Sequence, residues 1–118
     1  MRALGLALIW VALSSTIAVG QQPVSEADRW FAEGKKAMDE QRWAEACNAF
    51  QKSKEAEDAL GTRLNLALCY RSWGKVKSAY DVYVGIDAAA RRIGANEFIT
   101  AAREGMEAMK PELSYLAV

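Results

Sequence analysis

The stretches GKKAMDEQRWAEACNAF (residues 34–50) and ALCYRSWGKVKSAYDVY (residues 67–83) are one pattern written twice, 33 residues apart. The first carries Gly34-x-x-Ala37, then Trp43-x-x-Ala46-x-x-x-Phe50. The second carries Ala67-x-x-Tyr70, then Val76-x-x-Ala79-x-x-x-Tyr83. Small and aromatic residues return at spacings of three and four, the period of a helix face. A repeat in the low thirties marks helical hairpins that stack, because one hairpin cannot hide its own apolar face. Gly34, Ala46, Ala67 and Ala79 are small enough to let neighbouring helices approach. The rings of Trp30, Phe50, Tyr70 and Tyr83 fill the space around those approaches. These eight residues are the expected repeat core, and the expected fold class is all-α.

Five helices are expected around this pattern. Ser25 is placed to cap the first, with Asp28 at the capping-box position, and that helix runs to about Glu40. The second covers Trp43 to Lys54. The third, Gly61 to Trp73, is apolar on most sides, as a helix between neighbours is, and Gly74 closes it. The fourth runs from Lys75 to Ile93. The fifth, Asn96 to Met109, is expected to cap the apolar end that the fourth exposes. The helical domain therefore spans 27–110, as two hairpins and a capping helix. Pro111 stands where proline follows a helix end. Residues 111–118 lose the helical period and favour a strand by composition. Such a tail either packs on the helices or opens a β-domain.

Residues 1–20 read as a signal peptide. Met1-Arg2 is a positive start, Ala3–Leu13 is an apolar run, and Ala18 and Gly20 supply the small residues before Gln21. Cleavage is expected after Gly20, leaving 21–26 as a flexible leader. The alternative is an uncleaved anchor, but the apolar run falls short of the roughly 20 residues that cross a bilayer. The expected location is the periplasm or the outside of the cell, with no membrane span after cleavage.

The composition narrows the chemistry. The chain has 15 basic and 15 acidic residues and no His. That balance gives no electrostatic footprint for nucleic acid. Without His, the usual general base and metal ligand are missing, and neither a Ser-His-Asp nor a Cys-His arrangement can be assembled. No glycine-rich phosphate loop is present. No enzyme activity, cofactor or metal is expected; the residues point to a binding scaffold.

Gly34-x-x-Ala37 with Ala46 and Phe50, then Leu66-Ala67-x-x-Tyr70 with Gly74, Ala79 and Tyr83, resembles the tetratricopeptide repeat across about Ala27 to Gly94. The sequence departs from that family at Asp58, where proline is frequent, and at Glu33, where leucine is usual. A narrower resemblance runs through Arg42-Trp43-Ala44-Glu45-Ala46-Cys47, Gly61-Thr62-x-x-Asn65-Leu66-Ala67-x-Cys69-Tyr70 and Pro111-x-Leu113-Ser114. It is similar to exported tetratricopeptide proteins of Gram-negative bacteria, in which a small β-domain often follows the helices. The resemblance implies a right-handed solenoid fragment that binds a protein or peptide in the cell envelope. The competing implication is a spacer or oligomerisation module, with a homo-oligomer formed through the fifth helix at Phe98 and Met106.

In such a stack the first helix of each hairpin lines the inner surface. The resulting partner-binding candidates are Phe31, Lys35 and Met38, then Asn65, Leu68 and Arg71, with Asp28 and Ser72 beside them. An Asn offers a peptide backbone both a donor and an acceptor, and Phe31 is expected to be an exposed contact. Cys47 and Cys69 fall on adjacent helices and face inward, so export predicts a disulfide between them. The alternative is two buried thiols acting as small hydrophobes.

Overall fold

The computed structural model describes residues 23–116 together with Gly5. It is all-helical over that range: α1 (Glu26–Asp39), α2 (Trp43–Ala56), α3 (Leu60–Ser72), α4 (Val76–Ile93) and α5 (Asn96–Leu116). Residues 1–4 and 6–22, where the signal peptide and the front of the leader are expected, lie outside the described residues. Short turns make consecutive helices antiparallel neighbours, and each helix packs chiefly on the next in sequence.

Local chemistry sets the ends. Ser25 caps α1, its Oγ accepting from the Asp28 N–H at 3.0 Å. Three helices end through a residue with positive φ: Gln41 at 59°, Gly74 at 80° and Gly94 at 70°. Behind each, a backbone N–H reaches back five residues, from Arg42 to Ala37 and Lys75 to Tyr70, both at 2.8 Å, and from Ala95 to Ala90 at 2.9 Å. This left-handed closure ties off carbonyls that the helix leaves unpaired. Gln41 and Gly74 stand one repeat apart, so the period of 33 is written into the turns as well as the faces.

The core has two clusters. One gathers Ala37, Ala46, Cys47, Phe50, Leu66 and Cys69 from α1, α2 and α3. The other gathers Ala67, Ala79, Tyr83, Ile86, Ala102 and Met109 from α3, α4 and α5. Tyr70 and Val82 pack on both and join them. Ala46, Ala67 and Ala79 are fully buried. Gly34 is buried too, and a Cβ there would lie 2.6 Å from the Phe50 ring. The nesting of rings into small-residue notches is therefore present in this fold. Ser53 Oγ donates to the Ala27 carbonyl at 2.8 Å, fixing the end of α2 to the start of α1.

Two expectations are corrected. Residues 111–116 continue α5 and form no strand; Ala117 and Val118 lie outside the described residues. Met109, Leu113 and Leu116 keep the helical spacing, Leu113 is half-buried, and Ser114 Oγ bonds back to the Lys110 carbonyl at 3.1 Å. Tertiary packing of α5 thus outweighs the cost of Pro111, which has no N–H to give to Glu107. Trp30, expected in the core, is only half-buried and belongs to neither cluster. Its ring lies in the α1–α2 seam with Lys52 Nζ 4.3 Å and the Arg29 guanidinium 5.6 Å from its centre.

Candidate partner-binding surface

Parallel helices α3 and α5 leave a groove of about 400 Å³ between them. Its α3 wall is Leu64, Leu68 and Arg71, its α5 wall is Ala101, Glu104, Gly105 and Ala108, and Tyr83 of α4 contributes from between them. Gly105 is what brings α5 close. A Cβ at that position would overlap the Tyr83 ring, so the helix seats directly on the aromatic face. Tyr83 is almost fully buried, whereas Leu68 is 41% exposed. An apolar side chain placed against a leucine this open would remove surface from water. Arg71 and Glu104 add one charge of each sign to the walls, and among the described residues neither is held in an ion pair.

The groove gathers two of the six sequence-derived contact residues, Leu68 and Arg71. The other four lie elsewhere or are occupied. Phe31 is half-buried and stacks edge-on against Phe50, with centroids 5.5 Å apart and planes at 64°. Met38 packs on the same cluster. Both are therefore packing residues, which corrects the expectation of an exposed Phe31. Asn65 is half-buried and its Nδ2 donates to the Gly61 carbonyl at 2.9 Å, one turn back along α3. Lys35 is exposed and does not line the groove. The sequence reading missed Leu64 and the whole α5 wall. The signal for that wall was present in Ala101, Gly105 and Ala108, three small residues on one face of the last helix.

Cys47 of α2 and Cys69 of α3 form a disulfide, with Cα atoms 5.6 Å apart. It lies in the core between the hairpins and holds α3 against α2. At the corner after α2, Asp58 takes two hydrogen bonds from Arg63, at 2.7 Å from Nε and 2.5 Å from Nη2. Arg63 also approaches the Gly85 carbonyl at 3.5 Å, linking this corner to α4. Those bonds from Arg63 hold the Asp58 carboxyl below its ordinary range, against a smaller opposing effect of burial. Among the described residues, no helix is long and apolar enough to cross a membrane, and no three acidic or cysteine side chains converge as metal ligands. No family model, curated protein or solved structure matches the chain.

Proposed function

We propose that this chain is an exported scaffold of the tetratricopeptide type that binds a peptide or protein segment in the cell envelope through the α3–α5 groove. The observation that carries the reading is the open Leu68 beside Leu64 in a groove walled by two parallel helices. Such a surface suits an apolar side chain of the partner between the walls, with Arg71 and Glu104 selecting its flanking charges. The apolar run before Gln21 and the Cys47–Cys69 bridge support export, since such bridges persist in oxidising compartments. The spacer reading finds less support, because Phe98 and Met106 already pack on the second core cluster.

A photo-reactive side chain at position 68 tests the proposal. Irradiation in the intact envelope should give one dominant adduct, which Arg71→Glu reduces and which the same probe at exposed Lys36 does not give. Equal labelling from positions 68 and 36 would refute the groove as the binding site.

A further inference from the structure

The repeat exposes a second surface, on hairpin α1–α2. Hairpin α3–α4 receives α2 in a seat that includes Leu66 of α3 and Val82 of α4, both packed with Cys47 and Phe50. Tyr70 packs on the same cluster. One repeat earlier, Leu66, Tyr70 and Val82 correspond to Glu33, Ala37 and Ala49. Those three residues lie together, lining a hollow of about 170 Å³ beside Trp30. A second hollow, of about 390 Å³, lies against the same ring and is lined by Glu26, Lys52, Glu55 and Ala56. Hairpin α1–α2 thus has the seat that α3–α4 uses to hold a helix, and no described helix of this chain fills it.

The chemistry of this seat differs from that of its counterpart. Its apolar part is shallow and made of Ala37, Ala49 and Ala56, with the Trp30 ring standing between the hollows. Its rim carries Glu26, Glu33, Glu45 and Glu55 against Arg29, Lys52 and Arg42, with Lys52 Nζ and the Arg29 guanidinium 4.3 and 5.6 Å from the Trp30 ring centre. Arg42 is already committed to Glu40 and Glu45, whereas Glu26 and Glu33 have no ion-pair partner among the described residues. Replacing the aliphatic Leu66 position by Glu33 turns an apolar seat into one that discriminates by charge.

We propose that the α1–α2 seat binds a basic amphipathic helix of a partner protein, with Trp30 as the anchor. The helix lays its apolar face against Trp30, Ala37 and Ala49, as α2 lies against Tyr70, Leu66 and Val82. Its lysines or arginines meet Glu26, Glu33 and Glu55. A half-exposed Trp between two hollows is the residue type and setting in which binding energy concentrates.

The test uses the full chain, isotope-labelled, and two model helices of 14 residues, the length of α2. The two peptides share one Leu/Ala face; one is flanked by Lys, the other by Glu. The Lys peptide should bind at least about tenfold more tightly than the Glu peptide. Its addition should shift the Trp30 indole and the Glu33, Ala37 and Ala49 amide signals. Trp30→Ala should weaken binding by roughly 30-fold, the loss expected of an anchor residue. The double variant Glu33→Lys/Glu55→Lys changes only exposed side chains, so it should stay folded and reverse the peptide preference. Equal affinity for both peptides, no binding, or shifts confined to the α3–α5 groove would overturn the proposal. Contacts from the Trp30 indole to residues 1–22 in the peptide-free protein would overturn it too, by making the chain its own occupant.

Discussion

A methyl group at position 34 would stand 2.6 Å from Phe50, a ring with no exposed surface, and one at position 105 would overlap Tyr83. Neither ring has room to withdraw. Gly34→Ala and Gly105→Ala should therefore each lower stability by about 1–3 kcal/mol, because overpacking exceeds the gain in helix propensity. Gly85 provides the opposite case: its nearest neighbour is Arg63 Nη1 at an ordinary 3.7 Å. Gly85→Ala should raise stability by about 0.5–1 kcal/mol. Urea unfolding of the three variants checks both signs, and a uniform gain would show that the notches are loosely filled. Asp58 gives a pH signature. Its carboxyl titrates below the unfolded value of about 3.9, so its contribution is present above that value and disappears as pH falls through the folded one. Asp58→Asn should destabilise by under about 1 kcal/mol at neutral pH, since the side chain is 47% exposed, and the two stability curves should converge in acid. Gly34 was legible in the sequence because Phe50 recurs with it in repeat phase as Tyr83 does with Ala67. Gly105 was not, since its ring belongs to the preceding helix and follows no repeat spacing.

The element that most changes between sequence and structure is α5. Its sequence predicts a cap ending near Met109 and a strand-like tail, whereas the helix runs to Leu116. Proline at position 111 is a strong local stop signal, but a local signal competes with what the helix can bury. Ala102, Gly105 and Met109 all turn into the core beneath Tyr83, and Leu113 extends the same face. The cap therefore supplies core as well as cover. Met109 has no exposed surface, so Met109→Ala should cost about 2–5 kcal/mol, the range for emptying a buried site. Thermal unfolding followed by circular dichroism measures it. A loss below 1 kcal/mol would mean that α5 is peripheral to the fold. Ala101, Gly105 and Ala108 mark a small-residue face of α5, but which neighbour that face meets depended on how α5 crosses α4.

At the scale of the molecule, two hairpins are fewer than the three repeats that usually make a stable stack. The deficit is met by α5 at one end and by the Cys47–Cys69 bridge in the middle. Closing a loop over 22 residues should stabilise the fold by roughly 3 kcal/mol on the chain-entropy account. Reduction, or Cys47→Ala with Cys69→Ala, should lower the unfolding free energy by about that amount while leaving helix content unchanged. Two free thiols titrated in the denatured, unreduced protein would contradict the bridge. The molecule also offers two surfaces of different character. The α3–α5 groove presents an open leucine with one charge of each sign, whereas the α1–α2 seat presents a tryptophan rimmed by carboxylates.

The sequence alone determined that the chain is helical, where four of its helices lie, and, Trp30 apart, which residues nest. Periodicity is a local property, and a notch and its ring at a fixed offset are carried by one hairpin. The cysteine pairing also followed, since the hairpin order makes α2 and α3 neighbours. Only the tertiary structure decided that Trp30 stays half-exposed, that Phe31 is spent on packing, that residues 111–116 join the last helix, and that Gly105 seats on Tyr83. Each of those depends on how far one rod is rotated about its axis against the next. A few tens of degrees of rotation move a side chain from core to rim without changing any spacing along the chain.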